Sequence, residues 1–303
     1  MSIFNKKKIL VTHDGSFHSD DLFATAVLSI VYGGKIKAIR TRDLELMSTA
    51  DVVYDVGGVY DPEANRFDHH QKEGAGQREN GIPYASFGLV WKKYGEQICE
   101  NKKVADMIDK RIVQYIDAVD CGVDVFKTLY DGIILSGVDQ AFLNKTPTWK
   151  EGGKNINKIF MRQLKEVEKF LLREILITKH DEEGSVILLT AYDRSEDKRI
   201  IKIDTNLPRY LFRNTLSRLP EPLYIIYPNT DKKNWKIETI KKSPDTMESR
   251  KSLPESWRGE EDLEKLKEVS GVDDIIFCHR SGFLAETISK ESAIALAEKA
   301  LIA

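Results

Sequence analysis

Short apolar runs alternate with amphipathic segments at the start of the chain. The runs in KKILVTHD, KIKAIRTRD and DVVYDVGG predict buried β-strands, and SDDLFATAVLSIVYG and LELMSTA between them predict helices. Ser19 can cap the first helix, while Asp20 and Asp21 favour its positive end. Strands that alternate with helices in this way indicate a parallel sheet with right-handed crossovers. We therefore expect ligands beyond the carboxyl ends of these strands.

The rest of the chain predicts further helices followed by a second group of strands. The helical segments are PYASFGLVWKKYGEQIC, VADMIDKRIVQYIDAVDCGV, Ile156 to Ile177 and ESAIALAEKAL. The predicted strands are SVILLTAY, LYIIYPN, WKIETI and DDIIFCHR. We therefore expect an α/β protein of two domains. Residues 1–150 would form the first domain, 151–180 a linker helix and 181–303 a smaller α/β domain.

The composition of the 303-residue chain excludes few functions. Hydrophobic residues make up 41% of it, which is enough to form well-buried cores in a globular protein. With 46 basic and 48 acidic side chains, the formal charge of −2 gives no strong overall attraction for nucleic acid. Cys99, Cys121 and Cys278 are widely spaced and predict structural thiols in a reducing compartment. No apolar run approaches the roughly 18 residues of a membrane span. These features predict a cytoplasmic protein with no membrane partner.

Four of the six histidines lie in two short segments that also carry acids. VTHDGSFHSDD contains two of them and RFDHHQ the other two. Carboxylates and imidazoles together suit intermediate metals such as Mn²⁺. The candidate ligands are His13, His18, Asp20, Asp55, His69, His70 and Asp120. This set is too large for one ion, but two ions about 3.5–4 Å apart that share a carboxylate would use it to activate water against phosphorus. Asp55, at the end of an apolar strand, is the natural bridge.

Several charged residues near this set have simpler interpretations. Asp14 and Asp21 fit the role of acids at a helix start. Asp117 and Asp124 compete with Asp120 for the last ligand position. Two arginines, Arg40 and Arg42, lie at the end of the second predicted strand. They either bind a phosphate or support the metal ligands, or they are simply exposed charges.

Eight blocks of the sequence, in order, resemble the DHH phosphoesterase superfamily. They are THDGSFHSDD, RTRD, VYDVGGVYDP, RFDHHQ, YASFGLVWKKYG, IDAVDCG, SRKSLPESWRG and FCHRSGFLAE. Within the superfamily the chain is similar to the MYG-type (melanocyte proliferating gene) family. That family carries an older description as metal-dependent protein hydrolases and is now associated with RNA exonuclease activity. The resemblance implies a two-domain DHH phosphoesterase-like α/β fold, with a parallel-sheet catalytic domain followed by a substrate-binding domain.

The resemblance also implies roles for the clustered residues. The residues assigned to the two ions are His13 with His18 for one, Asp20 with His69 and Asp120 for the other, and Asp55 as the bridge. Better known phosphoesterases of the superfamily have an aspartate where this chain has His18, so the division of His18 and Asp20 between the ions stays open. His70 would face the substrate phosphate, and Asp68 would orient a histidine by accepting its ring N–H.

In the second domain the resemblance implies a turn that contacts the substrate. FCHRSGF offers His279, Arg280 and Ser281 for a phosphate. Further candidates flank KSLPESW, where Arg250 and Arg258 would provide guanidinium groups and Trp257 would stack on a base.

These observations lead to a dinuclear metal-dependent phosphoesterase, a 3′–5′ exonuclease acting on RNA or short oligonucleotides with two Mn²⁺ ions. One alternative is another phosphoesterase, such as a manganese-type pyrophosphatase or a nanoRNA or cyclic-dinucleotide phosphodiesterase. A second alternative is a non-catalytic RNA-binding protein that contains metal. A homodimer is compatible with the sequence but has no diagnostic feature.

Overall fold

The computed structural model describes residues 6–152, 155–231 and 233–303. The chain divides into two compact units, Met1–Lys179 and His180–Ala303, and each unit carries a five-stranded sheet. The predicted mixed α/β fold is therefore confirmed. Residues 153 and 154 of the predicted linker lie outside the described residues. Within the described part of the chain, no helix is long and apolar enough to cross a membrane.

The sheet of the first unit is parallel except at one edge. Its strands are β1 (Lys8–Thr12), β2 (Ile36–Arg40), β3 (Val52–Tyr54), β4 (Tyr60–Asp61) and β5 (Arg66–Phe67). They lie in the order β2-β1-β3-β5-β4, and only the β4–β5 pair is antiparallel. Because β1, β3 and β5 are parallel, the residues that follow them emerge at one edge of the sheet. Those residues are His13, Asp55 and Asp68.

Helices cover this sheet and bury a largely aromatic and aliphatic core. They are α1 (Ser19–Val31), α2 (Leu44–Thr49), α3 (Ser86–Cys99), α4 (Lys102–Ile108), α5 (Gln114–Asp120), α6 (Val138–Leu143) and α7 (Ile156–Arg194). Leu10 of β1, Phe23 of α1, Phe87 of α3 and Phe160 of α7 are all fully buried in one cluster. The segment VADMIDKRIVQYIDAVDCGV, predicted as one helix, forms α4 and α5 joined by a π-helical turn at Asp109–Val113.

The sheet of the second unit is mostly antiparallel. Its strands are β6 (Ile200–Lys202), β7 (Tyr224–Pro228), β8 (Trp235–Thr239), β9 (Ile275–Cys278) and β10 (Leu284–Thr287). They lie in the order β6-β7-β8-β10-β9, and only β6 and β7 run parallel. The helices of this unit are α8 (Arg209–Thr215), α9 (Leu263–Ser270) and α10 (Lys290–Ile302), with 3₁₀ turns at Leu216–Arg218 and Glu255–Trp257.

One predicted strand is wrong, because SVILLTAY lies inside α7. The β-branched residues of this segment favour a strand, but the burial pattern has a helical period. Gly184 and Leu188 are buried and Ala191 is half-buried, whereas Val186 and Ile187 are exposed. Residues three and four apart share one face of a helix, so tertiary packing on that face overrides the local preference. The helix predicted from Ile156 to Ile177 therefore continues to Arg194.

Candidate metal centre

The loop after β1 brings two histidines to the edge of the first sheet. The carbonyl of Asp14 lies 2.7 Å from Nδ1 of His13 and fixes that ring nitrogen. The other nitrogen, Nε2, is then left 3.2 Å from Oδ2 of Asp55. His18 stands immediately before α1 and is exposed at the rim. Potential ligand atoms of His13, His18 and Asp55 all lie within 4.8 Å of one another, which is close enough to share one cation.

A second group forms around His69, which follows β5. Its Nε2 lies 3.4 Å from Oδ1 of Asp55, 3.2 Å from Oδ2 of Asp120 and 4.0 Å from Oδ2 of Asp20. Asp20 comes from the first turn of α1, and Asp120 is the last residue of α5. Asp55 thus turns one oxygen towards His13 and the other towards His69. His18, Asp20 and Asp120 also form a compact group, so the geometry allows His18 to serve either position.

Asp55 adopts an unusual backbone conformation at the end of β3. Its φ is +56°, in the left-handed region that costs most non-glycine residues about 1–2 kcal/mol and that aspartate and asparagine tolerate best. The N–H of Asp55 still donates to the carbonyl of Phe67 at 3.2 Å. The side chain is almost fully buried. This strained backbone conformation directs the carboxylate of Asp55 away from the strand and into the cluster.

Asp68 holds the following two residues by their backbone and one of them by its ring. Oδ1 accepts the N–H of His69 at 2.8 Å and the N–H of His70 at 3.2 Å, and lies 2.7 Å from Nδ1 of His70. Oδ2 accepts the N–H of Gly58. The His70 side chain is 61% exposed, and it lines a cavity of about 340 Å³ together with His13 and Asp55. Asp68 therefore orients His70, and its contact with His69 is through the backbone.

Several buried polar atoms in this cluster have no hydrogen-bond partner among the described residues. They are Nε2 of His13, Oδ2 of Asp20, Oδ2 of Asp21, Oδ2 of Asp55 and Nε2 of His69. A buried unsatisfied polar group costs about 1–3 kcal/mol, and more when it is charged. Divalent cations would satisfy these atoms, and the mixture of imidazole and carboxylate is a suitable donor set for them. The residues therefore fit the metal group that the sequence predicts.

The electrostatics of the cluster also favour a bound cation. Burial and the neighbouring Asp55 charge raise the pKa of Asp20 and of Asp120, and raise the pKa of Asp21 to about 8. Burial opposes protonation of His69, but the nearby Asp55 carboxylate, the Cys121 thiol and the Asp120 carboxylate raise its pKa to about 10. The three carboxylate shifts share their causes, because buried carboxylates that repel one another in a low dielectric retain protons unless a cation replaces them.

The two acids that compete with Asp120 lie outside the cluster. Asp117 is fully buried, lies 2.8 Å from Nη1 of Arg78 and accepts the N–H of Gly88 at 2.9 Å. Asp124 is exposed. Of the three candidates, the described part of the chain brings only Asp120 into the cluster.

Three residues that were not chosen as ligands from the sequence contact the cluster or the loop beside it. Asp21 accepts the N–H of His18 at 3.0 Å, as a helix-start acid should, yet its other oxygen lies 3.3 Å from Nε2 of His13. Cys121 places Sγ 3.8 Å from Nδ1 of His69; its position next to Asp120 was the only sequence signal. Arg40 is buried behind the loop and donates to the carbonyl of Gly15.

Two residues of the second unit that were predicted to bind substrate instead stabilise the fold. Trp257 is 3% exposed, packs in the core and donates from Nε1 to the carbonyl of Val269 at 3.1 Å. It has no open face on which a base could stack, so that prediction is corrected. Arg250 donates to three backbone carbonyls between residues 217 and 222, which occupies the guanidinium that was predicted to bind phosphate.

The other four predicted substrate residues of this unit lie around one turn between β9 and β10. Nδ1 of His279 accepts the N–H of Ser281 at 3.1 Å, and both Arg280 and Ser281 are exposed. Gly282 has a φ of +63°, and a side chain there would meet Nε of Arg258 at 2.5 Å. The turn thus groups His279, Arg280, Ser281 and Arg258 as potential donors to an anion.

Comparison with known proteins agrees with the blocks found in the sequence. Residues 9–301 match the family model MYG1_exonuc, described as an uncharacterised protein family (UPF0160). The chain is 30% identical to human MYG1 exonuclease, covering 96% of this chain and 85% of that protein. It is also 30% identical to rat MYG1 exonuclease, with 96% and 84% covered. Among solved structures, RecJ in complex with Mg²⁺ from Thermus thermophilus matches with a TM-score of only 0.26 at 10% identity, covering 97% of this chain and 49% of that one. The model match and the human relative show that the chain belongs to the MYG1 exonuclease family.

Proposed function

We propose that this protein is a metal-dependent phosphodiesterase, a 3′–5′ exonuclease that removes nucleotides from RNA or short oligonucleotides. The observation that carries the proposal is the position of Asp55, whose two carboxylate oxygens face two different histidines within one buried cluster. Relatives that share about 30% of the sequence bear the name exonuclease, which supports a hydrolase of nucleic-acid phosphodiesters.

In this proposal two divalent cations, of which Mn²⁺ suits the donors best, occupy the cluster. His13 and His18 would hold one and Asp20, His69 and Asp120 the other. Asp55 would contact both. Such cations lower the pKa of water and polarise a phosphoryl group.

The remaining polar residues of the centre then orient the phosphodiester. Because Asp68 fixes Nδ1 of His70, the ring keeps one orientation, and Nε2 is available at the exposed side of the cavity. This atom of His70 would face a phosphate oxygen, where negative charge develops during hydrolysis. The exposed donors around the His279 turn provide a second potential set of phosphate contacts.

The test follows the hydrolysis of two substrates by metal-stripped protein to which Mn²⁺ is returned. One substrate is a short RNA labelled at its 5′ end, and the other is pyrophosphate. We expect the RNA to shorten by one nucleotide at a time while its 5′ label remains on the polymer, and pyrophosphate to stay intact. Asp55→Asn should lower turnover by at least about a thousandfold, equivalent to ~4 kcal/mol of barrier.

A matched control is Asp14→Asn, because the Asp14 side chain is more than half exposed and, among the described residues, forms an ion pair only with Arg42, while its backbone carbonyl is unchanged. Full turnover by Asp55→Asn with metal bound would refute the bridging role. Rapid hydrolysis of pyrophosphate with intact RNA would support the metal centre but show that the substrate is pyrophosphate and not RNA. Metal binding without hydrolysis of either substrate would favour the non-catalytic RNA-binding alternative.

A further inference from the structure

The second unit contains a small cavity whose lining is rich in cations. Its volume is about 200 Å³, and its charged lining residues are Arg209 and Arg213 on α8, Glu238 on β8 and Lys241 just after that strand. None of these residues belongs to the metal centre or to the His279 turn. The cavity therefore needs an explanation of its own.

The single acid of the cavity is already fully paired. Glu238 receives two hydrogen bonds from Arg209, from Nε at 2.7 Å and from Nη2 at 2.8 Å, and a third from the hydroxyl of Tyr227 at 2.9 Å. This paired geometry is the strong form of the arginine–carboxylate contact. The charges of Arg209 and Glu238 cancel, and Nη1 of Arg209 has no protein acceptor among the described contacts.

Two cations of the cavity remain without an acid. Within the residues that the structure describes, neither Arg213 nor Lys241 has a carboxylate within 4.0 Å. Lys241 is only 8% exposed, donates to the hydroxyl of Ser249 at 3.1 Å and lies 5.4 Å from the ring centre of Phe283. Nε of Arg213 is buried and has no hydrogen-bond partner in the part of the chain that the structure describes.

A buried lysine and a partly buried arginine that pair directly with no acid among the described residues are costly to fold. Removing an ammonium group from water is unfavourable unless an opposite charge replaces the lost hydration. Burial lowers the pKa of Lys241 and outweighs the opposing attraction of Glu238, whose carboxylate is already paired with Arg209. An anion held between Arg213 and Lys241, and also reached by Nη1 of Arg209, would remove this cost.

We propose that this cavity binds a single phosphate group, through Arg213, Lys241 and the uncommitted Nη1 of Arg209. The volume of about 200 Å³ is below the roughly 300–1,000 Å³ of sites that enclose whole small molecules. A phosphate group fits such a space, whereas a complete nucleotide does not. The group can come from free inorganic phosphate or from the backbone of a nucleic-acid strand, since both present the same oxygens. The proposal does not depend on the metal centre.

The test measures binding of inorganic phosphate to the full chain by titration calorimetry, at constant ionic strength with chloride as the competing ion. The titration is made on the Mn²⁺-loaded protein and again after chelation, because only phosphate bound at a metal centre requires the metal. We expect phosphate to bind this cavity in both states, and phosphate that binds only to the Mn²⁺-loaded protein to lie at the metal centre. Lys241→Met and Arg213→Met should each weaken this binding by at least about tenfold, the loss expected for one charge-assisted hydrogen bond.

The matched control is Lys242→Met. It removes the same charge one residue further along, from a side chain that is 53% exposed and pairs with Glu248. Phosphate should bind this variant like the unchanged protein. Thermal unfolding without phosphate checks that each variant folds. If Lys241→Met does not fold, the phosphate affinity of Arg213→Met tests the proposal. Equal binding by all variants, or no phosphate bound after chelation, would overturn the proposal.

A second arm identifies the source of the phosphate group. Binding of a short RNA to Asp55→Asn protein is measured at several salt concentrations, with and without Lys241→Met. If the cavity holds a backbone phosphate, Lys241→Met reduces the slope of log affinity against log salt by about one. If the slope is unchanged while free phosphate binding is lost, the cavity serves inorganic phosphate. Both results support a phosphate site and distinguish the two sources.

Discussion

Replacing Arg40 with methionine should loosen the loop that carries His13 and His18. Arg40 is 9% exposed, and it donates from Nη2 to the carbonyl of Gly15 at 2.9 Å and from Nη1 to Oδ1 of Asn157 at 3.0 Å. Its guanidinium carbon also lies 5.0 Å from the ring centre of Phe160. Methionine keeps much of the buried aliphatic volume and none of these donors.

The magnitude follows from the contacts that disappear. A hydrogen bond to a charged group contributes about 1.5–3 kcal/mol, and a desolvated cation–π contact contributes up to ~2 kcal/mol. Against this, the variant no longer carries the cost of burying a charge. That cost is also visible in Arg40 itself, because burial lowers its pKa. We expect a net loss of about 2–4 kcal/mol in the free energy of opening the loop. Because each ~1.4 kcal/mol corresponds to a factor of ten, partial transmission of this loss should weaken Mn²⁺ binding about tenfold.

The assay is amide hydrogen exchange of the full chain, followed on peptides from residues 8–31, together with a Mn²⁺ titration. Arg42→Met is the control, since Arg42 lies two residues away and pairs at 3.2 Å with Asp14, both side chains being more than half exposed. Exposed pairs contribute at most about 1 kcal/mol, so this variant should exchange almost like the unchanged protein. If the two variants behave alike, the loop does not depend on the buried guanidinium.

Three further predictions follow from the described contacts. Gly88→Ala should destabilise the first unit by about 3 kcal/mol in urea unfolding, because its new Cβ would lie 1.8 Å from Oδ2 of Asp117; an unchanged midpoint would contradict this. Mn²⁺ affinity should rise with pH, because the Asp55 contact outweighs burial and raises the pKa of His69 to about 10, so metal must displace a proton. Calorimetry in two buffers of different ionisation enthalpy should reveal that released proton, and an affinity independent of pH would refute the linkage. Trp257→Phe should lower unfolding stability by about 1–3 kcal/mol, through its lost bond to a buried carbonyl, without changing RNA affinity; a selective loss of RNA binding would restore the stacking role.

Residues at strand ends were accessible to sequence reasoning because their position follows from chain direction alone. Once β1 and β3 are recognised as parallel strands, His13 and Asp55 must emerge at one edge of the sheet. The predicted ligands also come from segments far apart in the sequence, and these were identified from the ordered blocks shared with the family. The two-sheet α/β architecture followed from the alternation of apolar runs and amphipathic segments.

Other features depend on packing that a single sequence does not reveal. Trp257 looks like a stacking residue in sequence, and only its position in the core removes that role. Arg40 gives no sign that its donors face a backbone carbonyl. The antiparallel strand β4 is too short to have a pattern. SVILLTAY has the composition of a strand, and its helical state is decided by the surface against which Leu188 packs.

The left-handed backbone at Asp55 limits which substitutions the protein can survive. Glycine, asparagine and aspartate are the residues that accept this conformation at low cost, and only aspartate carries a charge. Asparagine is one nucleotide change away from aspartate in the genetic code. It would preserve the turn after β3 and remove the charge that we propose to bridge two cations. In an evolving lineage, position 55 therefore offers a short route from an enzyme to a pseudoenzyme, a folded descendant that keeps its surfaces and loses its chemistry.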